Sequence, residues 1–152
     1  MLSTGTWTRR YLIQALRSLQ RLVHRQTRTY RAGMNGIVAD LLVDTDVFID
    51  HLRGARLLVV KKHRVHYSVV TRAELFAGNT ASDLVNLILQ PFREIPVGRS
   101  VAERAGRIRR ETGVCLPDAL IAATAIENKL GLVTRNRTDF ERIRELRMRE
   151  PL

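Results

Sequence analysis

Four short segments built around apolar residues, 41–43, 65–70, 92–97 and 131–134, recur along the chain, and the stretches between them carry helical spacing. Runs of that length are too short for helices and read as buried strands. Residues 47–52, 71–77, 84–89, 101–112 and 117–130 read as helices, the fourth closed by Gly113 and the fifth opened by Pro117. A last helix is expected from about Asp139. Strands alternating with helices pair in parallel through right-handed crossovers. The pattern therefore predicts an α/β fold, a central parallel sheet sandwiched between helical layers.

That topology gives the acids their meaning. In an open parallel sheet the carboxyl ends of the strands share one edge, and ligand sites form there. Asp44 ends the first run, in Leu-Val-Asp-Thr-Asp, and Glu74 lies in the first turn after the second. Asp118 opens the Ala-rich helix, while Asn136 and Asp139 follow the fourth run. Each has a local explanation. Thr71 with Glu74, and Thr138 with Glu141, fit capping boxes. Asp118 beside Pro117 suits a helix N-terminus, and Asp44 or Asp46 suits the cap of the helix near Val47. Capping does not, however, call for acids on one edge from several segments. Carboxylates gathered there repel and raise one another's pKa. A divalent cation relieves that repulsion, and an all-oxygen donor set suits Mg²⁺ or Mn²⁺.

Composition narrows the class. With 45% hydrophobic residues the chain is no candidate for wholesale disorder. The single Cys115 excludes an internal disulfide and a cysteine-built zinc site, and favours a reducing compartment. No apolar run reaches the roughly 18 residues that a membrane helix needs. A formal charge of +11 makes an anionic partner, nucleic acid above all, the first expectation. That charge is unevenly spread. Residues 1–33 hold seven Arg and no acid, whereas the remainder sets nineteen basic residues against all fifteen acids.

Residues 1–33 are accordingly read as a basic N-terminal extension and 34–152 as the folded domain. Leu12, Leu16, Leu19 and Val23 give the extension helical spacing. Three readings stay open for it: a solvated basic tail, an arm that touches RNA or protein, and a mitochondrial transit peptide. Met34 also stands as an alternative start of the native chain.

Four motifs, in order, then carry a family resemblance: Leu-Val-Asp-Thr-Asp-Val-Phe-Ile-Asp, Ser-Val-Val-Thr-Arg-Ala-Glu-Leu-Phe-Ala-Gly, Leu-Pro-Asp-Ala-Leu-Ile-Ala-Ala-Thr-Ala and Leu-Val-Thr-Arg-Asn-Arg-Thr-Asp-Phe. Together they resemble the PIN-domain ribonucleases, in particular the VapC-type toxins of bacterial toxin–antitoxin pairs, over roughly residues 37–148. The resemblance implies a PIN-like three-layer sandwich. It also implies a Mg²⁺- or Mn²⁺-dependent endoribonuclease that leaves a 5′-phosphate and a 3′-hydroxyl. By position, Asp44, Glu74 and Asp118 match the family's first three acids. Many members carry an Asp just after the strand-four Thr-X, where this chain has Asn136, and Asp139 then matches the acid that completes the cluster. The metal-holding set so implied is Asp44, Glu74, Asp118, Asn136 and Asp139, with Thr45 and Thr134 hydrogen-bonding to the acids or to phosphate. The resemblance further implies an RNA substrate, a homodimer, a cognate antitoxin protein that occupies the acidic site, and a bacterial cytoplasmic location.

Two rival readings remain. Asp44-Thr-Asp46-Val-Phe also resembles the haloacid dehalogenase phosphatases, with Asp44 as nucleophile and Asp46 as acid/base. That family needs a later lysine and paired acids, but only Lys61, Lys62 and Lys129 exist and no acid pair follows Gly131. The other rival is a degenerate PIN domain that binds RNA or protein without cutting. His24, His51, His63 and His66 lack metal-ligand spacing and read as surface or strand-flanking residues. Cys115 reads as buried or half-buried near the site edge. The arginines around Arg109 and Arg142 read as partners of Glu103, Glu111, Glu141 and Glu145.

Overall fold

A computed structural model describes Arg17, Arg21, residues 38–56, Leu58 and residues 63–150. Apart from Arg17 and Arg21, the expectations for the basic extension lie outside the described residues. Among the described residues five strands are present: β1 (Asp40–Val43), β2 (Arg64–Ser68), β3 (Arg93–Ile95), β4 (Gly131–Val133) and β5 (Met148–Arg149). Six helices are described with them: α1 (Thr45–Leu52), α2 (Val69–Ala77), α3 (Ser82–Leu89), α4 (Arg99–Thr112), α5 (Leu116–Glu127) and α6 (Arg137–Phe140). The sheet order is β3-β2-β1-β4-β5, and every pairing is parallel.

The two-residue period of a strand explains the layers. Leu41 and Val43 of β1 point into one core, with Val47 and Phe48 of α1, Leu75 of α2, and Val85, Ile88 and Leu89 of α3. Leu42 points the other way, into a second core built from Val101, Ala105 and Ile108 of α4, the alanines and Ile121 of α5, and Phe140. A helical layer covers each face, so the three-layer sandwich holds. Phe48 centres the first core, edge-on to Tyr67 at 6.2 Å between centroids and tilted against Phe92 at 5.8 Å. In the second core the small alanines of α5 let it lie close to the sheet and to α4. At Gly131 an added Cβ would lie 2.9 Å from Arg149 Cγ and 3.3 Å from Leu41 Cδ2, so the approach of β4 to its neighbours requires glycine.

Several local expectations need correction. The second strand stops at Ser68, not Val70, because Ser68 Oγ accepts the Val70 N–H at 3.2 Å and starts α2 two residues early. Thr71 is therefore inside the helix and buried, and no capping box forms with Glu74. Thr138 is likewise inside α6, whose cap position is Asn136. The third strand spans only Arg93–Ile95. The last helix is a single turn, Arg137–Phe140, and residues 148–149 add a short strand beside β4. Arg104 makes the ion pairs of α4, with Glu127 and with Glu145 at 2.8 Å, in place of the pairs expected around Arg109 and Arg142.

Candidate active site

The strand order reverses direction at β1. The chain first builds β1, β2 and β3 outward, then crosses over to lay β4 on the other side of β1. Such a switch point leaves a crevice beyond the strands' carboxyl ends. The Asp44 N–H donates to Val133 O at 2.9 Å, which ties the first residue after β1 to the end of β4. Asp44 caps α1, its Oδ1 accepting the Thr45 N–H at 2.7 Å. Its Oδ2 accepts from Thr134 Oγ1 at 2.8 Å, the first residue after β4. The capping reading of Asp44 is thus correct and incomplete: the same carboxylate joins two strand ends.

Asp44 is only 5% exposed. Burial pushes its carboxyl up to about 7, the nearby Asp46 and Asp118 charges add to that rise, and the hydrogen bonds from Thr134 and Thr45 oppose it. Asp118 is therefore close enough to be felt, as its place in the first turn of α5 allows. Glu74, on α2, is half-buried and accepts a hydrogen bond from Thr45 Oγ1, which also reaches Thr71 Oγ1 at 3.2 Å. Asp44, Glu74 and Asp118 are thus brought to one crevice, and residue 45 links the first two.

The fourth limb is arranged differently. Asn136 and Asp139 are both exposed and bonded to each other, Asn136 Nδ2 donating to Asp139 Oδ2 at 2.6 Å. Among the described hydrogen bonds, Asp139 is linked to the group through Asn136, whose N–H donates to Thr134 Oγ1 at 3.1 Å and to Asp46 Oδ2 at 3.0 Å. Among the described residues, no three Asp, Glu, His or Cys side chains stand close enough to share one ion as they are arranged. Asp44, Asp46, Glu74 and Asp139 are each held by hydroxyl or amide donors.

Asp46 is the site residue that sequence reasoning missed. Its Oδ2 accepts from the N–H groups of Arg135 and Asn136 and from Thr134 Oγ1 at 3.3 Å, while its Oδ1 is buried with no partner. The only signal was its spacing: two residues after Asp44, it projects from α1 toward the turn after β4. Its engagement by two backbone amides also removes it from the acid/base role of the phosphatase reading. Cys115 is exposed, not half-buried, because it precedes α5 at the crevice rim; burial still raises its thiol pKa, and Asp118 and Glu74 lie within electrostatic reach. His51 departs from the surface reading: it is 3% exposed, and its Nδ1 accepts the Leu58 N–H at 3.0 Å.

The donor set suits a hard divalent cation. It is all oxygen, and Asp44 and the orphaned Asp46 Oδ1 are both placed where positive charge would relieve them. No helix among the described residues is long and apolar enough to cross a membrane.

Comparison with known proteins bears on the family and the fold. The PIN domain profile matches residues 41–146. Ribonuclease VapC10 of Mycobacterium tuberculosis is 38% identical, over 70% of this chain and 90% of the relative. Ribonuclease VapC1 of Methanocaldococcus jannaschii is 28% identical, over 69% of this chain and 82% of the relative. Among solved structures, a toxin–antitoxin complex from Klebsiella pneumoniae superposes with a TM-score of 0.56 at 30% identity, covering 70% of this chain and 94% of that one.

Proposed function

This chain belongs to the PIN-domain family, as a ribonuclease of the VapC kind, and from that premise we propose that Asp44, Glu74 and Asp118 form its catalytic centre, completed by Asn136 and Asp139. The protein acts as the endoribonuclease toxin of a toxin–antitoxin pair, and an antitoxin protein is its expected partner. The observation that carries the reading is Asp44. A carboxyl buried at the switch point, beside two other acids, is held in a state that a cation would relieve.

Asp44 and Asp118 are the residues that would hold Mg²⁺ or Mn²⁺, and Glu74 is placed to orient the attacking water. A bound divalent cation supplies positive charge against the charge that develops on the phosphorus oxygens during in-line attack. The chain's own groups do the rest. The Thr134 hydroxyl engages Oδ2 of Asp44 and the Thr45 N–H engages Oδ1, so the carboxylate cannot rotate away from the crevice. The Thr45 hydroxyl holds Glu74 on the α2 side of the same crevice. Asp44 and Asp118 would hold such a cation, which would supply the positive charge that relieves their repulsion, and Glu74 would lie beside it on the Thr45 hydroxyl.

Replacing Asp44 by Asn should abolish metal-dependent cleavage of RNA while leaving the circular dichroism spectrum unchanged. Full cleavage by that variant would sink the assignment.

A further inference from the structure

The Asn136 and Asp139 side chains are exposed and bonded to each other, and the local anchors of the turn are the Thr134 hydroxyl and the buried Phe140. A second set of anchors comes from α1. Asp46 and Asp50 are four residues apart on that helix, so both project from one face, toward the turn after β4. Asp46 Oδ2 takes the Arg135 N–H at 2.9 Å and the Asn136 N–H at 3.0 Å. One helical turn further on, Asp50 Oδ2 lies 2.6 Å from Arg135 Nε. The Arg135 side chain is 17% exposed and that of Asp50 28%, so solvent screens this pair less than an ordinary surface pair. The contact lies off the Nε–H axis, which makes it an ion pair more than a directed hydrogen bond. Residue 135 is therefore gripped by its backbone and its side chain at once, immediately before Asn136.

We propose that Asp50 is a positioning residue for RNA cleavage: through Arg135 it clamps the turn after β4 to α1 and so fixes the fourth limb of the acidic centre. The inference rests on the catalytic centre proposed above. Among the described contacts, Asp50 and the Arg135 side chain meet none of Asp44, Glu74, Asp118 and Asp139, and their effect passes through the backbone of residues 134–136, where the Arg135 N–H meets Asp46. Groups that orient ligands from outside typically change metal affinity or activity by roughly 10- to 100-fold, and exposed ligands on a short turn lie open to that effect.

The test compares Asp50→Ala and Asp50→Asn with wild type and with Arg104→Ala. The last breaks a similarly half-buried ion pair, to Glu127, outside the crevice. Three readouts are taken: the Mn²⁺ midpoint by calorimetry, the Mn²⁺ dependence of RNA cleavage, and amide hydrogen exchange across residues 134–139. Loss of the clamp should raise the Mn²⁺ midpoint roughly tenfold, carry the cleavage curve with it, and speed exchange at Arg135 and Asn136. Arg135→Lys, which keeps the charge, should recover part of each effect relative to Arg135→Ala. Arg104→Ala should lower Tm and move none of the three. If Asp50→Ala and Asp50→Asn merely lower Tm as Arg104→Ala does, with wild-type Mn²⁺ midpoint and exchange, the clamp is a stability contact and the proposal fails. That failure is distinct from failure of the catalytic reading, which would show as wild-type Mn²⁺ binding and cleavage in Asp44→Asn.

Discussion

Replacing Asp44 by Asn should stabilise the metal-free protein, and by an amount that grows with pH. The carboxyl's ordinary value is 3.8, and the fold pushes it up to about 7. A carboxyl raised by folding contributes stability that is fully present below its unfolded value and is lost as pH rises through its folded value. Each unit of that interval is worth about 1.4 kcal/mol. Relative to a side chain that never ionises, Asp44 therefore costs the fold roughly 1–2 kcal/mol at pH 5 and about 4 kcal/mol above pH 7. Asn keeps the shape, and its carbonyl oxygen can still accept the Thr45 N–H. Its amide meets Thr134 where a carboxylate oxygen used to accept, a penalty that does not change with pH. The informative quantity is consequently the slope. In EDTA, the stability difference between Asp44→Asn and wild type should increase by about 3 kcal/mol between pH 5 and pH 8, roughly 10 °C in Tm for a domain of this size. Urea denaturation at each pH, with equal m-values, gives the same quantity directly. A difference that stays flat over that range would refute the burial argument, and with it the reason for placing a cation beside Asp44.

Other outcomes follow from the same contacts. In wild type, Mn²⁺ should raise Tm more at pH 8 than at pH 6, since the ion binds the ionised carboxylate; calorimetric scans at the two pH values check this. His51 is held neutral by burial, which lowers its pKa, so its contribution is complete above about pH 6.5 and is lost as pH falls through its folded value. His51→Gln should flatten that acid-side loss in urea titrations, and an unchanged slope would count against it. Because the Asp44 and His51 trends oppose each other, each is read as a difference between variant and wild type. Phe48→Ala removes the fully buried ring between Tyr67 and Phe92 and should cost about 3–5 kcal/mol, measured by urea unfolding. Gly131→Ala sets a methyl against Arg149 and Leu41 and should cost about 1–3 kcal/mol without altering the Mn²⁺ midpoint.

How much of this was legible in the residues depends on range. The α/β order was readable because buried parallel strands are short apolar runs, and because Gly113 and Pro117 mark helix ends through their backbone preferences. Asp44 and Glu74 were readable as neighbours because parallel topology sends the carboxyl ends of β1 and β2 to one edge, whereas Asp118 follows no strand and opens α5 directly after α4. The end of β2 was not readable, since Val69 and Val70 are β-branched and suit a strand as well as Val65 and Tyr67 do, and only the Ser68 cap marks the boundary. Nor was β5, whose two residues offer no period to detect.

Local sequence thus determined which elements form and which acids stand at their ends, because propensity, capping and periodicity are properties of neighbours along the chain. Contacts between residues far apart in sequence decided what those acids do. Thr45, cap-adjacent in sequence, holds Glu74; Thr134 reaches back across ninety positions to Asp44. Asp46, which looks like a spare helix cap, takes the backbone of the turn after β4. The burial that drives the Asp44 carboxyl to about 7 is likewise absent from any stretch of residues. Desolvation and mutual repulsion arise only when the packed layers close around the strand ends, so the chemistry of the site belongs to the tertiary structure.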